Sequence, residues 1–222
     1  PEGDRSEALL ALVDAHQIVA ANAPARALGV RPGLKRATAL ALAPQITLGQ
    51  ADAARDAQAL LAVAHAALAF TPQVVLDPAT PHTVLLEVNG SLRYFGGAAT
   101  LRVRLRAALA PLGHRLNMVS AATPLGAALL ARVHRELDCA EPDATREALQ
   151  AAPVWLLGPG QAHWEALQGM GLRTIADLGR VPRAGLARRL GEPVLNEFDR
   201  AMGRRPDPRE PIVPAAVFES RL

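Results

Sequence analysis

The alternation of short apolar runs with turn residues is the feature of this sequence that most constrains its fold. Residues 9–13 and 17–21 are apolar runs separated by Asp14, Ala15 and His16, which predicts a β-hairpin. Apolar residues at helical spacing over residues 51–70 predict the longest helix. Half of the chain is apolar and only 3% is aromatic, so helices packed through small side chains are favoured over an aromatic-rich β-sandwich.

The remaining segments continue the rhythm of strands and helices. Further strands are predicted at residues 45–48, 73–76, 83–88 and 115–121, and further helices at 23–28, 34–42, 98–112 and 124–136. Asn89 and Gly90 predict a turn, after which Ser91 is placed to cap residues 92–95. Strands and helices alternating around one sheet predict an α+β fold with a ferredoxin-like layer.

The pattern changes in the C-terminal third. Residues 137–145 interrupt the apolar pattern with acids and a proline, which predicts a domain boundary. Beyond Pro153, glycine and proline separate short helices, which are predicted at residues 161–168, 174–179, 182–190 and 193–202. Residues 204–211 are rich in proline and charge and predict an extended linker.

Composition and charge exclude several classes of protein. A single cysteine, Cys139, permits no internal disulfide and no multi-cysteine zinc site, so a reducing, cytoplasmic compartment is expected. The most apolar run, residues 59–70, is too short to span a bilayer, and no membrane partner is expected. The six histidines show no spacing typical of metal ligands. A net charge of +3 mildly favours an anionic partner.

The strongest local motif is a pair of glycine-apolar-glycine turns near predicted helices. Residues 156–160 end in Gly-Pro-Gly, and residues 166–178 place Gly-Met-Gly before Arg173 and Thr174, a pattern typical of a helix-hairpin-helix. Such glycines let backbone N–H groups approach a DNA phosphate, while nearby arginines add charge. The candidate DNA-binding residues are Gly158, Gly160, Gly169, Gly171, Arg173, Thr174, Arg183 and Arg188. A plain αα-hairpin with glycine caps and solvated arginines is the alternative interpretation.

Several segments together resemble one enzyme superfamily. Residues 21–33 resemble the fingers motif of Y-family translesion DNA polymerases, in which Tyr-x-Ala-Arg precedes an apolar-Gly-Val step and a Gly-Met. Residues 70–72, 84–96, 121–124 and 158–178 follow in that family's order, and Ser-Leu-Arg-Tyr-Phe-Gly-Gly is most similar to its catalytically degenerate ImuB type. The resemblance implies palm residues 1–22 and 71–140, fingers 23–70, a thumb 141–205 with the helix-hairpin-helix, and a linker 206–222 toward an absent little finger.

The departures from that family fall where its chemistry lies. By the resemblance, His82 and Thr83 stand where the family has an Asp-Glu pair, and Ala128 stands where it has a phosphate-binding lysine. Two-metal phosphoryl transfer needs clustered carboxylates to hold Mg²⁺, and a histidine with a threonine does not supply that charge. Arg26 is retained and predicts either a remnant phosphate contact or a salt bridge within the fingers. Glu87 matches an acid that is not a metal ligand and predicts a buried or hydrogen-bonded strand acid.

The sequence therefore predicts a non-catalytic subunit that binds DNA and scaffolds a damage-induced mutagenic complex, without a cofactor. The resemblance implies a bacterial, nucleoid-associated protein. Its implied partners are DNA, an error-prone C-family polymerase, a RecA-like accessory protein and the sliding clamp. Two alternatives stay open. One is an active Y-family polymerase that uses Mg²⁺, and the other is a protein-interaction module that never touches DNA.

Overall fold

The computed structural model describes residues 8–76, 80, 82–158, 167 and 169–213 as a mixed α+β protein. The strands are β1 (Leu10–Asp14), β2 (Gln17–Ala21), β3 (Thr47–Gln50), β4 (Val74–Leu76), β5 (Val84–Leu86), β6 (Met118–Ala121) and β7 (Glu136–Cys139). The first six helices are α1 (Ala23–Ala27), α2 (Arg36–Leu42), α3 (Ala53–Ala67), α4 (Asn89–Phe95), α5 (Ala98–Leu109) and α6 (Pro124–Ala131). The later helices are α7 (Pro142–Ala151), α8 (Ile175–Arg180), α9 (Arg183–Leu190) and α10 (Glu192–Ala201), and single 3-10 turns lie at Ala110–Leu112 and Val154–Leu156.

The chain divides into two compact units, residues 1–58 and 59–222. In the first, β1 pairs antiparallel with β2 and parallel with β3, so the predicted hairpin is confirmed as part of a three-stranded sheet. Alternate residues of β1 point inward, and Ala11 and Val13 are buried there. Asn22 joins the sheet to α1, because its Oδ1 accepts the N–H groups of Leu10 and Ala25 at 3.1 Å each.

In the second unit the strands form two separate pairs. β4 lies antiparallel to β5, and β6 lies parallel to β7. The prediction of one sheet is wrong for the described residues, because no described strand pairs with both β5 and β6. Helix α6 instead contacts β5 through Ala128, which packs with Val75 and Leu85. None of the described helices is both long and apolar enough to cross a bilayer.

The segment predicted as a helix end and domain boundary contains regular structure. Helix α6 ends at Ala131, and residues 136–139 form β7, so the prediction of a helix to residue 136 is wrong. In β7, Glu136 and Asp138 face outward while Cys139 is buried. Arg102 of α5 binds the carboxylates of Glu136 and Asp138 at 3.0 and 2.8 Å, which holds that acidic side of the strand. The alternation of acids and apolar residues was the sequence signal for a strand here.

Helix α4 begins earlier than the sequence predicts. Asn89 and Gly90 lie in its first turn rather than in a separate turn, and Ser91 is inside the helix rather than at its cap. Glu87 is exposed, and its Oε1 accepts the N–H of Asn89 at 2.9 Å, which satisfies one of the unpaired donors at this helix end. Of the two predictions for Glu87, a buried acid or a hydrogen-bonded acid, the structure shows the hydrogen-bonded acid.

The C-terminal helices share the largest hydrophobic core. Leu149, Leu156, Ile175, Leu178 and Leu195 are almost fully buried in it. Helices α8, α9 and α10 begin and end within two residues of the helices predicted from the sequence. Glycine and proline separate these helices, which keeps each one short.

Residues 204–211 have no helix or strand, as expected of an extended segment, and Asp207 anchors them to the rest of the unit. The side chain of Asp207 is buried, and its Oδ2 accepts the N–H of Leu125 in the first turn of α6 at 3.1 Å and lies 2.8 Å from Arg209. The N–H of Ile212 donates to Val74 O at 2.8 Å. These long-range bonds hold the segment against the unit, a contact that composition alone does not reveal. Residues 214–222 lie outside the described part of the chain.

Candidate nucleic-acid interface

His82 and Thr83 directly precede β5, at the position that the resemblance associates with metal-binding acids. His82 is exposed and has a left-handed backbone with φ of +60°, a conformation that histidine tolerates better than most residues. Thr83 is half-buried. Neither side chain carries the negative charge that a divalent cation requires of its oxygen ligands.

Ala128 lies in the interior face of α6, where the resemblance places a lysine. Its exposed fraction is 2%, and its methyl group packs with Val75 of β4 and Leu85 of β5. A lysine here would have to bury its ammonium group among aliphatic side chains. This part of the molecule is therefore a packing interface rather than an anion-binding surface.

The described residues offer no ready set of ligands for a metal ion. Within residues 8–76, 82–158 and 169–213, together with residues 80 and 167, no three His, Cys, Asp or Glu side chains are grouped closely enough to hold one. Cys139 belongs to β7, where its Sγ donates to Ser120 O at 3.1 Å and burial raises the pKa of the thiol. Its buried position favours an inert thiol over a reactive one.

Arg26 lies in the last turn of α1 and is exposed. Among the described residues, no ion pair is formed by Arg26, so the salt-bridge interpretation finds no support there. Its guanidinium remains available to a phosphate.

Gly158 opens the predicted helix-hairpin-helix, and an internal carboxylate already occupies its N–H. Oε2 of Glu197 accepts that N–H at 2.6 Å. Gly158 has φ of +66°, and an added Cβ would lie 2.9 Å from Cγ2 of Val194, so the position requires glycine. Burial raises the pKa of Glu197, although this hydrogen bond and nearby arginines oppose the shift.

The second glycine pair ends a helical turn. Gly171 is exposed with φ of +76°, and the N–H of Leu172 donates back to Leu167 O at 3.0 Å, the hydrogen bond expected where a glycine terminates a helix. Gly169 is exposed, and nothing lies within 4 Å of a Cβ built on it. Gly160 and the predicted helix at residues 161–168, apart from Leu167, lie outside the described residues.

Thr174 caps α8, and Asp177 closes the cap. Oδ2 of Asp177 accepts the N–H groups of Arg173 and Thr174 at 3.1 and 2.9 Å, and Thr174 Oγ1 accepts the N–H of Asp177. Hydrogen bonds from the Thr174 and Arg173 backbone lower the pKa of Asp177, so it is ionised at neutral pH. Thr-x-x-Asp was the sequence signal for this capping box. The backbone donors expected to face a phosphate are again satisfied internally.

Arg183 is also bound within the protein. Both terminal nitrogens of its guanidinium contact the carboxylate of Asp199 on α10, which is buried. This bidentate pair lowers the pKa of Asp199. Sequence reasoning missed Asp199 and Glu197 because nothing in the local pattern indicates that α10 packs beside these groups.

The exposed arginines remain as the candidate DNA-contacting groups. Arg173, Arg188 and Arg189 are exposed, and within the described part of the chain none of them forms an ion pair. Arg188 and Arg189 lie in the last turn of α9, where positive charge also complements the helix dipole. The positive charge of each of these exposed side chains would attract a phosphate backbone.

A family model and two known proteins are similar to this chain in sequence. The model of the impB/mucB/samB family matches residues 4–137. Protein ImuB of Caulobacter vibrioides (strain NA1000 / CB15N) is 32% identical over 195 residues, which are 88% of this chain and 42% of that protein. DNA polymerase IV of Yersinia pestis (strain Pestoides F) is 29% identical over 182 residues, which are 79% of this chain and 50% of that protein.

The fold is similar to that of solved Y-family structures. DinB from Sulfolobus solfataricus matches with a TM-score of 0.69 at 15% identity, over 93% of this chain and 63% of that one. The chain spans half or less of the length of the two relatives named above. The family model covers more than half of the chain, and the similar proteins agree with it. The chain therefore belongs to the impB/mucB/samB family of Y-family polymerase-like proteins.

Proposed function

We propose that this chain is a non-catalytic Y-family polymerase-like subunit that binds DNA and scaffolds a damage-induced mutagenic translesion complex. The observation that carries the proposal is that the side chains around β5 and α6 lack the carboxylates and the ammonium group that the resemblance implies there. His82 and Thr83 precede β5 where acids are expected, and Ala128 is buried where a lysine is expected. A polymerase needs carboxylates that hold two metal ions against the transferring phosphate, and these residues do not supply them.

DNA binding is supported by the exposed arginines beside the C-terminal helices. Arg173 and Arg188 are exposed, whereas Asp177 and Glu197 occupy the backbone donors of Arg173, Thr174 and Gly158. On this proposal, contact with phosphates is made by guanidinium groups rather than by backbone N–H groups. Arg183 has a structural role beside Asp199. Residues 141–205 then act as a thumb, with the helix-hairpin-helix at its DNA-facing side.

The similarity to Protein ImuB supports a role within a mutagenic complex. By that similarity, the partners are an error-prone C-family polymerase, a RecA-like accessory protein and the sliding clamp, assembled at bacterial chromosomal DNA. This chain matches 42% of that protein, so these partners are proposed for the whole protein rather than for the matched portion alone.

The test measures binding of a fluorescent primer-template across about 50 to 200 mM salt. Affinity is expected to fall with salt, and Arg173→Ala or Arg188→Ala is expected to weaken binding and reduce the salt slope by about one. Arg55→Ala is the matched control, because Arg55 is an exposed arginine on α3 that is distant in sequence from Arg173 and Arg188. Salt-independent binding, or equal loss in the control, would contradict the DNA-binding part.

Catalysis is tested separately by primer extension with Mg²⁺ or Mn²⁺. No templated incorporation is expected. Incorporation that Arg26→Ala abolishes, which excludes a contaminating polymerase, would instead establish the active-polymerase alternative.

A further inference from the structure

An exposed aromatic side chain stands on the surface formed by α4 and α5. Tyr94 is 84% exposed, and its ring meets that of Phe95 edge to face at 5.0 Å between centroids. Phe95 stacks on Phe70 at 5.2 Å, and the guanidinium of Arg104 lies 5.9 Å from the Phe95 centroid. Tyr94 is therefore an accessible ring on a packed aromatic base, with a positive charge beside it.

The charge of this surface is uncompensated. No aspartate or glutamate occurs between Glu87 and Glu136, whereas seven arginines do. Arg102 and Arg106 are held by Glu136, and Arg102 also binds Asp138. Arg93 and Arg104 are exposed, and neither forms an ion pair with another of the described residues. Their positive charge is therefore presented to solvent.

An aliphatic side chain is also exposed on α5. Val103, directly before Arg104 on α5, is 69% exposed. We name Arg93, Tyr94, Val103 and Arg104 the Tyr94 surface. Tyrosine and arginine are the residue types that most often dominate the binding energy of protein interfaces, and an exposed aliphatic group contributes apolar area beside them.

We propose that the Tyr94 surface is a docking site for an acidic protein segment with apolar anchor residues. Carboxylates of the segment pair with the guanidinium groups of Arg93 and Arg104, and its apolar side chains cover Tyr94 and Val103. Charge complementarity selects an acidic occupant, because α4 and α5 contain no acid and the acids nearest to them, Glu136 and Asp138 of β7, bind Arg102 and Arg106 rather than Arg93 or Arg104. The exposed valine favours a protein over a nucleic acid, because an aliphatic side chain gains little from a phosphate backbone.

This inference deepens the scaffolding part of the proposed function and rests on it. It is independent of DNA binding, which was assigned to Arg173 and Arg188 on the C-terminal helices. Separate measurements therefore distinguish a failure of the docking site from a failure of DNA binding.

The experiment uses the chain of 222 residues and a fluorescent amphipathic peptide of about 15 residues, with leucines at helical spacing among glutamates. Fluorescence anisotropy is expected to show saturable binding that weakens with salt. Tyr94→Ala and Arg104→Glu are each expected to weaken it at least about tenfold. Arg55→Glu makes the same charge change at an exposed position of α3 and is expected to change the affinity less than about twofold.

Three results would overturn the docking site: no saturable binding of the peptide, equal loss of affinity in Arg55→Glu, or retained affinity in both surface variants. The same variants are then titrated with the primer-template. If Tyr94→Ala weakens DNA binding as strongly as peptide binding, the surface is a nucleic-acid site and the inference is wrong. Unchanged DNA binding in Tyr94→Ala supports it.

Discussion

The β5–α6 region and the C-terminal helices differ in how far polar side chains take part in their packing. In the first, Ala128 packs against Val75 and Leu85, and His82 and Thr83, directly before β5, are not acids. In the second, Asp199 binds Arg183 with both oxygens, and Glu197 accepts the N–H of Gly158. Both regions are stabilised by apolar packing, and the second adds hydrogen bonds and an ion pair to buried or half-buried acids.

The two regions differ in how they would respond to a change in charge. A region that packs alanine where a charge is expected tolerates no return of that charge without repacking. A region whose internal acids occupy its donors keeps its shape without a ligand. The fold of the C-terminal helices therefore does not depend on a bound ligand, and on the proposed function it is formed before nucleic acid binds.

The largest effect is expected from Ala128→Lys, which restores the residue type that the resemblance implies. The site has an exposed fraction of 2% and holds only a methyl group, so the lysine must displace Val75 or Leu85 and lose its hydration. The free energy of unfolding is expected to fall by about 3 kcal/mol or more in urea denaturation. Ala57→Lys, at an exposed position of α3, is the matched control and is expected to change little. Unchanged stability of Ala128→Lys would show that α6 leaves room for a cation.

Asp199→Asn is expected to have the next largest effect. The pair with Arg183 lowers the pKa of Asp199, so the ionised acid stabilises the fold at neutral pH, and this contribution is lost as the pH falls through the lowered pKa, below 3.8. The variant is expected to lose about 2 kcal/mol near pH 7, measured by urea denaturation at several pH values. Asp143→Asn is the control, because Asp143 pairs with Arg146 at the surface. A loss of similar size in the control would remove the special role of burial.

Thr174→Ala tests whether Thr174 is a cap or a DNA contact. Its hydroxyl donates to Asp177 Oδ2 at 3.0 Å and accepts the N–H of Asp177, so its removal is expected to reduce the free energy of unfolding by about 1 kcal/mol. Thr174→Ser keeps the hydroxyl and is expected to remain near wild type. If the alanine variant is as stable as wild type but binds primer-template less tightly, Thr174 contacts DNA rather than closing the cap.

Glu197→Gln is expected to give the smallest change, with the opposite sign. Burial raises the pKa of Glu197, so the folded protein binds its proton more tightly than the unfolded chain, and stability rises as the pH falls from the raised pKa toward 4.5. A glutamine amide oxygen can still accept the N–H of Gly158. The variant is expected to gain less than about 1 kcal/mol near pH 7 and to lose that part of the pH dependence. A loss of stability at pH 7 would mean that the ionised form holds Gly158.

Much of the fold could be predicted because its signals are local. Glycine and proline mark the ends of α8, α9 and α10, and the alternation in residues 9–13 and 17–21 marks a hairpin. The errors have physical causes as well. The strand at residues 136–139 was missed because its two outward acids resemble a linker, although Arg102 on α5 holds both. The prediction of an extended linker at residues 204–211 missed the contact made by Asp207, because its partner, the N–H of Leu125, is distant in sequence.

The sequence by itself, through its resemblance to the family, supplied the prediction that His82, Thr83 and Ala128 stand at the family's functional positions. It also determined the glycine turns and the supply of arginines. Only the tertiary structure decided which of those groups remain available. Asp199 binds Arg183, Glu197 accepts the N–H of Gly158, and Arg173 and Tyr94 are exposed. The reason is that a local pattern specifies the type and spacing of polar groups, whereas their partners come from helices that meet only when the core packs.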